Sequence, residues 1–251
     1  MNFDHYRMTF DYHTHTTYSH GWIFPHGKGT IRENVEAGIA AGLDEIAISE
    51  HGPGHVFYGV KRKNYPKIRE EIRALQEEHP EIRIWMSVEA NVLDGPDHID
   101  LRPEEFNEFD FVLAGYHYGV GHGYCIRNWL QDKGLATRRM KERLRDLNTE
   151  MVVKCVEEND IRILTHPGDK APVDMAEVAR ACAKTDTWME ISTWHKHLTV
   201  EEIRVAMKED VRFVISSDAH TPGRVGSFQG GLERAYEAGL DFSRIVNIRE
   251  I

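Results

Sequence analysis

Short apolar runs rich in β-branched residues alternate along the chain with longer amphipathic segments. Seven of the short runs predict strands, at residues 8–12, 45–49, 83–88, 109–114, 161–164, 187–191 and 212–216. Strands that alternate with helical segments are typical of βα units with a mainly parallel sheet. The pattern therefore predicts an α/β fold.

The segment TIRENVEAGIAAG, residues 30–42, has the features of a helix with defined ends. Its apolar residues recur at helical spacing. Thr30 precedes them, and Glu33 three residues later completes a capping-box pattern. Gly42 offers a stop at the C-terminal end. We therefore expect a helix that begins after Thr30 and ends near Gly42.

Length and composition place the chain among ordinary globular proteins. It has 251 residues, of which 41% are hydrophobic and 29% are charged. That length suits one α/β barrel-like domain, and we find no Pro/Ser-rich linker, low-complexity tract or fixed-period repeat that would divide the chain. We expect a single domain over residues 1–251.

The acidic charge balance and the few cysteines narrow the function classes. A formal net charge of −10 argues against the broad basic face that duplex nucleic acid requires, but it allows a small anionic substrate. The three cysteines form no CxxC pair, so we expect them to be reduced. We find no leader pattern and no apolar run of about 18 residues. We expect a cytoplasmic enzyme without a membrane partner, and the oligomeric state stays open.

Histidines crowd the segment DYHTHTTYSHGWIFPHGKGT, residues 11–30. His13 and His15 directly follow the first predicted strand, and side chains two apart on a strand share one face. Two imidazoles that converge at a strand end are suited to bind a metal, because neutral histidine is the commonest nitrogen ligand. The segment therefore predicts a metal site at the end of this strand.

The other predicted strands also lead into side chains that can bind metals. The residues at or directly after the C-terminal ends of the seven predicted strands include His13, His15, His51, Glu89, His117, His166, His195, His197, Asp218 and His220. In parallel βα folds the C-terminal strand ends form one rim, where active sites are assembled. The sequence therefore predicts a polynuclear metal site at this rim.

Six short motifs carry these residues. They are HTH at 13–15, SEHG at 49–52, VEAN at 88–91, GYHYG at 115–119, THPGD at 165–169 and SSDAH at 216–220. Jointly they resemble the PHP phosphoesterases, the polymerase and histidinol phosphatase superfamily, over nearly the whole chain. The resemblance implies a distorted, TIM-like (β/α)7 barrel. It also implies three divalent metal ions, zinc, manganese or iron, at the C-terminal ends of the strands.

The resemblance further implies three ligand sets that share Glu89. They are His13, His15, Glu89 and Asp218 for the first metal, Glu89, His117 and His166 for the second, and His51 and His220 with one histidine of the first loop for the third. That loop offers two candidates, His20 and His26. His26 is favoured because it directly precedes GKGT and the helix start. His20 is then an alternative ligand or a substrate contact.

The implied activity is metal-dependent hydrolysis of a small phosphomonoester, with histidinol phosphate the best-known substrate of similar proteins. A carboxylate that bridges two cations, as Glu89 would, holds them close enough to share a water molecule. The cations lower the pKa of this water, so that hydroxide is available as the nucleophile. Asp218 or His195 is the candidate to protonate the leaving alkoxide. Substrate contacts are expected from cations of the rim loops, namely Arg224, Lys61 or Arg62, and Arg127 in a glycine-containing lid.

Three other functions are consistent with such a site. A PHP-type nuclease or nucleotide phosphodiesterase is disfavoured by the acidic pI of about 5.8. A metal amidohydrolase also uses His-x-His after the first strand, but this chain has Glu89 where that class has a carboxylated lysine. A non-catalytic metal-binding domain is disfavoured because all the ligand positions are filled.

Overall fold

The computed structural model of the chain describes residues 3–20 and 26–251. Its strands are β1 (Tyr6–Met8), β2 (Phe10–Asp11), β3 (Glu45–His51), β4 (Arg83–Asn91), β5 (Phe111–Gly115), β6 (Ile163–Leu164), β7 (Trp188–Ser192), β8 (Phe213–Ser216) and β9 (Ile248–Glu250). Its α-helices are α1 (Ile31–Ala40), α2 (Tyr65–Glu78), α3 (Cys125–Asp132), α4 (Arg138–Glu158), α5 (Met175–Thr185), α6 (Val200–Ala206) and α7 (Gln229–Ala238). In these ranges no helix combines the length and the apolar character needed to cross a bilayer.

Seven strands form a nearly closed parallel barrel. Their order is β2-β3-β4-β5-β6-β7-β8, which is the order along the chain. Residues just after β2 and β8 bring the two edges together, because Thr14 and Ala219 form a parallel bridge. The amide of His15 donates to the Ala219 carbonyl at 2.8 Å. The expected seven-stranded, TIM-like α/β barrel is confirmed, with the helices between the strands.

The first predicted strand is divided in two in the structure. β1 pairs antiparallel with β9, so that Tyr6 lies opposite Glu250, whereas β2 pairs with β3 in the barrel. Between them, the amide of Thr9 donates to the carbonyl of Asn247 at 2.8 Å. The partner of β1 lies more than 230 residues away, and the local pattern at 8–12 cannot show that pairing.

The start of α1 is capped as the sequence predicts. The Thr30 hydroxyl accepts from the Glu33 amide at 3.2 Å, and the Glu33 carboxylate accepts from the Thr30 amide at 2.8 Å. The helix ends before Gly42, whose φ of 73° lies in the left-handed region that glycine adopts without strain. This helix leads the chain from the first histidine loop back to the start of β3.

The barrel interior changes from apolar to polar along its length. Alternate side chains of each strand face inward, so that Ala47 and His51 lie on the same face of β3, and Trp85 and Glu89 on the same face of β4. The strand register places Ala47 beside Trp85 and His51 beside Glu89. The apolar layer is formed by Tyr12, Ala47, Leu113, Ile163 and Val214, packed against Phe10, Trp85, Phe111 and Trp188. The polar side chains therefore collect at the C-terminal end of the barrel.

Candidate metal centre

Buried imidazoles and carboxylates from six separate chain segments meet at the C-terminal end of the barrel. They are His13, His15, His51, Glu89, His117, His166, Asp218 and His220, none of which is more than 8% exposed. The sequence predicted each of these residues for the rim, and the structure brings them together in one cluster, which we call the histidine cluster.

Glu89 lies at the centre of the histidine cluster. Its Oε2 atom is 3.3 Å from His13 Nε2, 3.1 Å from His51 Nδ1 and 3.4 Å from His117 Nε2. Its Oε1 atom is 2.9 Å from His166 Nε2. One carboxylate therefore contacts imidazoles that follow four different barrel strands.

A glycine close to the Glu89 carboxylate makes this crowding possible. Gly115 ends β5, and a Cβ atom added there would lie 2.7 Å from Glu89 Oε1 and would also clash with the hydroxyl of Thr165. The Thr165 hydroxyl donates to Glu89 Oε1 at 2.7 Å. Any larger residue at position 115 would displace the central carboxylate.

Asp218 joins the imidazoles on the other side of the cluster. Its Oδ1 atom is 3.2 Å from His15 Nε2 and 3.5 Å from His220 Nδ1. Asp218 has a φ of 48°, and His166 has a φ of 29°, so both have left-handed backbones although neither is glycine. Such strained positions concentrate at functional sites, where the surroundings hold them in place.

The pKa shifts of two cluster side chains suit cation binding. Burial alone would raise the pKa of the Glu89 carboxyl, but the imidazoles of His117 and His13 hold this pKa well below its usual range. Burial and the neighbouring His15 place the pKa of His51 well below its ordinary value. Metal ligation requires ionised carboxylates and neutral imidazoles, and these two side chains meet that requirement.

The first loop contributes His26 to the cluster. Its Nε2 atom lies 2.8 Å from Nε2 of His220, and its ring is 4.9 Å from the ring of His51. The ring of Tyr58 stacks on His26 at 3.9 Å. His20 is exposed to solvent, and residues 21–25 lie outside the described ranges. The structure thus brings His26, and not His20, to the cluster.

Two local features fix the path of the first loop. A Cβ atom on Gly27 would clash with the carbonyl of Thr16, so only glycine lets the chain pass there directly after His26. The buried Glu50 accepts from the amide of Thr16 at 3.0 Å and from the hydroxyl of Ser19. The Glu50 carboxylate is a structural anchor of this loop that the sequence analysis did not identify.

Many polar atoms of the cluster are buried without a hydrogen-bond partner. They include His13 Nε2, His15 Nδ1 and Nε2, His51 Nδ1 and Nε2, Glu89 Oε2, His166 Nδ1 and Asp218 Oδ1. Unpaired buried polar atoms are costly and rare in native proteins, and a bound cation compensates for them. The cluster therefore fits divalent metals in its donor chemistry.

Among the residues that the structure describes, four groups of three side chains have donor atoms within 4.8 Å of one another. They are His13, His15 and Asp218; His51, Glu89 and His117; His15, His51 and His220; and His166, His195 and Asp218. The first group lies entirely within the ligand set expected for the first metal, and the second and third groups each share two residues with the expected second and third sets.

Residues 11–200 match the PHP domain family. This chain belongs to the PHP domain family. Two curated relatives, from Acetivibrio thermocellus and Syntrophotalea carbinolica, are each named "probable phosphatase". They are 26% and 28% identical to this chain, over 96% and 94% of its length and 91% and 90% of theirs.

Solved structures also share the fold of this PHP protein. The histidinol phosphate phosphatase of Lactococcus lactis, solved with zinc, L-histidinol and phosphate, has a TM-score of 0.62 at 19% identity, over 93% of this chain and 95% of that one. The HisK protein of Listeria monocytogenes has a TM-score of 0.66 at 16% identity, over 87% of this chain and 97% of that one. At these identities the likeness establishes the fold.

Two polar residues orient imidazoles of the histidine cluster by contacting their Nδ1 atoms, on the side away from Glu89. Glu190 on β7 has Oε1 2.7 Å from His13 Nδ1, and its Oε2 accepts from the His166 amide at 2.7 Å. Asn91 at the end of β4 has Oδ1 2.9 Å from His117 Nδ1. Both contacts turn an imidazole so that its Nε2 faces Glu89. The sequence analysis assigned neither residue a role, although each lies on an inward-facing position of its strand.

We expect Glu190→Gln to weaken metal binding by about 10-fold to 100-fold, because it removes the charge that fixes the tautomer and basicity of His13. Competition with a chelator measures this affinity. The matched control is Glu202→Gln, since Glu202 lies 2.9 Å from the Nδ1 atom of His197 outside the cluster. Equal affinities in both variants and the parent protein would exclude an orienting role for Glu190.

We expect His26→Ala to lower the metal content by about one ion per chain and His20→Ala to leave it unchanged, because only His26 contacts the cluster. Elemental analysis after equilibration with excess metal gives the count. The opposite result, with an ion lost only in His20→Ala, would assign the third site to His20.

His195 bridges the cluster and a further carboxylate. Its Nε2 atom lies 3.1 Å from Asp218 Oδ2, and its Nδ1 atom lies 3.1 Å from Asp169 Oδ2. Burial disfavours the charged imidazole, but the two carboxylates outweigh burial and raise the pKa of His195 to about 9. The contacts with these two carboxylates thus favour a protonated imidazole at the edge of the cluster.

Of the expected substrate contacts, the structure brings only Arg224 close to the cluster. Its guanidinium lies 4.9 Å from the ring of Trp194, which in turn stacks on His220 at 5.5 Å. The indole of Trp194 thus contacts both the guanidinium of Arg224 and the imidazole of His220.

The other three expected cations lie elsewhere. Arg62 is bound by Glu105, with Nε 2.6 Å from Oε1, so its charge is already compensated. Lys61 is exposed beside it. Arg127 does not reach inward as expected: it is exposed on α3, with its guanidinium 5.8 Å from the ring of Tyr124. The structure thus gives no support to substrate contacts by these three residues.

Proposed function

We propose that this PHP protein is a metal-dependent phosphatase of small phosphomonoesters. The observation that carries the proposal is the contact of the buried Glu89 carboxylate with imidazoles from four strand ends. A carboxylate in this position is suited to bridge two cations. Two closely spaced cations stabilise the attacking and leaving oxygens when a phosphate ester is hydrolysed. The names of the two curated relatives support the same reaction class.

We assign the metal ligands to the three sets expected from the sequence. His13, His15, Glu89 and Asp218 would hold one ion, Glu89, His117 and His166 a second, and His26, His51 and His220 a third. Bound divalent ions would act as Lewis acids toward the phosphoryl oxygens and would lower the pKa of a shared water, so that hydroxide is available as the nucleophile.

His195 is our candidate for the general acid. The leaving alkoxide needs a proton, and the sequence offered Asp218 and His195 as donors. The pKa of the buried Asp218 carboxyl lies well below its usual range, because the adjacent imidazoles, His13 above all, outweigh the effect of burial. Asp218 is thus ionised, whereas His195 keeps a proton that it can deliver to the oxygen of the leaving group.

Histidinol phosphate is the first substrate to test. The Lactococcus lactis protein, which shares the fold, was solved with L-histidinol and phosphate. The net charge of −10 also favours a small substrate over a nucleic acid. A fold alone does not determine the substrate, so a panel of esters is needed.

The decisive experiment measures phosphate release by protein whose metal content has been counted by elemental analysis. The panel contains histidinol phosphate, nucleoside monophosphates, sugar phosphates, phosphotyrosine and a short oligonucleotide. We expect about three metals per chain and selective turnover of a monoester.

Two results would replace the proposal. Shortening of the oligonucleotide without turnover of monoesters would make the protein a PHP-type nuclease. Full metal content with no phosphate released from any ester would direct the search to amide and lactone substrates.

A further inference from the structure

A large aromatic side chain lies exposed beside the histidine cluster. Trp194 follows β7 and is 51% exposed. Its ring lies 5.5 Å from the ring of His220 at an interplanar angle of 29°. Ser192 fixes the turn, since its hydroxyl accepts from the amides of Trp194 and His195 at 3.2 and 3.1 Å. The indole thus lies between the imidazole of His220 and solvent.

Arg224 supplies a positive charge next to this indole. Its guanidinium is 4.9 Å from the Trp194 ring, and its Nη2 atom donates to the Thr193 carbonyl at 3.2 Å. Within residues 3–20 and 26–251 no carboxylate forms an ion pair with Arg224. Its Nε atom is buried without a hydrogen-bond partner. A cavity of about 400 Å³ is lined by Thr193, Arg224 and the segment from Val225 to Gly230.

We propose that Trp194 and Arg224 form a subsite for the leaving group of the substrate. It takes a planar ring that carries a second anionic group. The ring stacks on Trp194, and the anion binds the guanidinium of Arg224. This proposal rests on the phosphatase function proposed above and names a class of ester distinct from histidinol phosphate, whose leaving group carries an ammonium and no second anion.

The positions of the two side chains favour this role over contact with the reacting phosphate. Arg224 contacts Trp194 and Thr193, and the described structure shows no hydrogen bond or ion pair from it to a cluster side chain. The reacting phosphate would lie at the cluster. The charge of Arg224 lies against the indole, where it suits an anionic group carried by a ring stacked on Trp194.

The contacts of Arg224 argue against a purely structural role for this side chain. Arg234 already stabilises the loop after β7, because it donates to the carbonyls of His195 at 3.0 Å and Lys196 at 2.6 Å. Arg224 adds two hydrogen bonds to this loop, both from Nη2 to Thr193, and keeps its other donors for another group.

The test compares ratios of kcat/KM, in which the intrinsic reactivity of each ester cancels between variants. The first ratio is kcat/KM for 4-carboxyphenyl phosphate divided by kcat/KM for phenyl phosphate. We expect Arg224→Gln to lower this ratio by about 10-fold or more, because a hydrogen bond to a charged group is lost. The second ratio is that of phenyl phosphate to cyclohexyl phosphate, and we expect Trp194→Leu to lower it by about threefold to tenfold. Trp194→Phe should retain most of the second ratio.

The chain offers a matched control at the opposite end of the barrel. There the guanidinium of Arg162 lies 5.4 Å from the ring of Trp188, far from the cluster. Arg162→Gln removes a similar cation–π contact and should change neither ratio. If Arg224→Gln slowed all esters equally, Arg224 would act on the reacting phosphate or on the loop, and the subsite would be excluded.

Binding of phosphonates separates this proposal from the proposed function. The metal-loaded protein is titrated calorimetrically with benzylphosphonate and 4-carboxybenzylphosphonate, which cannot be hydrolysed at a P–O–C bond. Tighter binding of the carboxylated compound that disappears in Arg224→Gln supports the subsite even if no ester is turned over. Equal binding of both compounds, together with normal ester turnover, would exclude the subsite and leave the phosphatase function in place.

Discussion

Glu89→Gln is expected to abolish phosphoester hydrolysis, with kcat/KM lowered by at least about 10³-fold. The substitution keeps the shape of the side chain but removes the negative charge that His13, His51, His117 and His166 surround. Without that charge, the cations assigned to the first and second sets lose a shared ligand. We therefore expect both ions to be depleted together.

Elemental analysis and ester turnover, measured on the same preparation, check this expectation. Circular dichroism should show an unchanged fold, since the apolar layer of the barrel does not involve Glu89. The matched control is Glu105→Gln. Glu105 is a buried carboxylate that binds Arg62 at 2.6 Å outside the cluster, and its loss should lower stability while the metal content stays full. Normal turnover by Glu89→Gln would remove Glu89 from the bridging role.

The barrel and its cluster could be predicted because both depend on local patterns. Each strand is a short apolar run, and its functional side chain follows directly at the C-terminal end. In β3 the alternation that buries Ala47 on the inner face also directs His51 inward four residues later. Because the strands of the barrel are parallel, all their C-terminal ends meet at one rim, and the functional side chains come together there. No knowledge of individual long-range contacts is needed to predict this.

The contacts that sequence could not supply join residues far apart in the chain. The sequence predicts Arg62 as a substrate contact, but Glu105, 43 positions away, binds its guanidinium. Glu190 lies 177 positions from His13, and Trp194 meets Arg224 only because β7 and β8 are neighbours. Such pairs depend on the folded arrangement of loops, which hydrophobic periodicity does not encode.

The choice between His20 and His26 shows the same limit at short range. Both histidines precede a glycine in the sequence. The structure distinguishes them through Gly27, which passes against the backbone of Thr16 and leaves His26 beside His220. That contact depends on a backbone approach within the loop, and the two His-Gly pairs look alike without it.

His195→Gln is expected to lower kcat/KM for alkyl phosphomonoesters by about 10²-fold to 10³-fold. The imidazole lies 3.1 Å from both Asp218 and Asp169, and these carboxylates keep it protonated. A poor leaving group such as an alkoxide needs that proton, whereas 4-nitrophenolate leaves without one. The variant should therefore lose far less activity toward 4-nitrophenyl phosphate.

A series of esters with increasing leaving-group pKa tests this role, and the slope of log kcat/KM should steepen in His195→Gln. His197→Gln is the matched control, because His197 lies in the same loop but pairs with Glu202 at 2.9 Å. Metal content decides between two roles for His195, since His166, His195 and Asp218 also have donor atoms within 4.8 Å of one another. Full metal content with a steeper slope identifies a general acid. Loss of an ion, with all esters slowed equally, would make His195 a metal ligand instead and return the search for the proton donor to the other side chains of the rim.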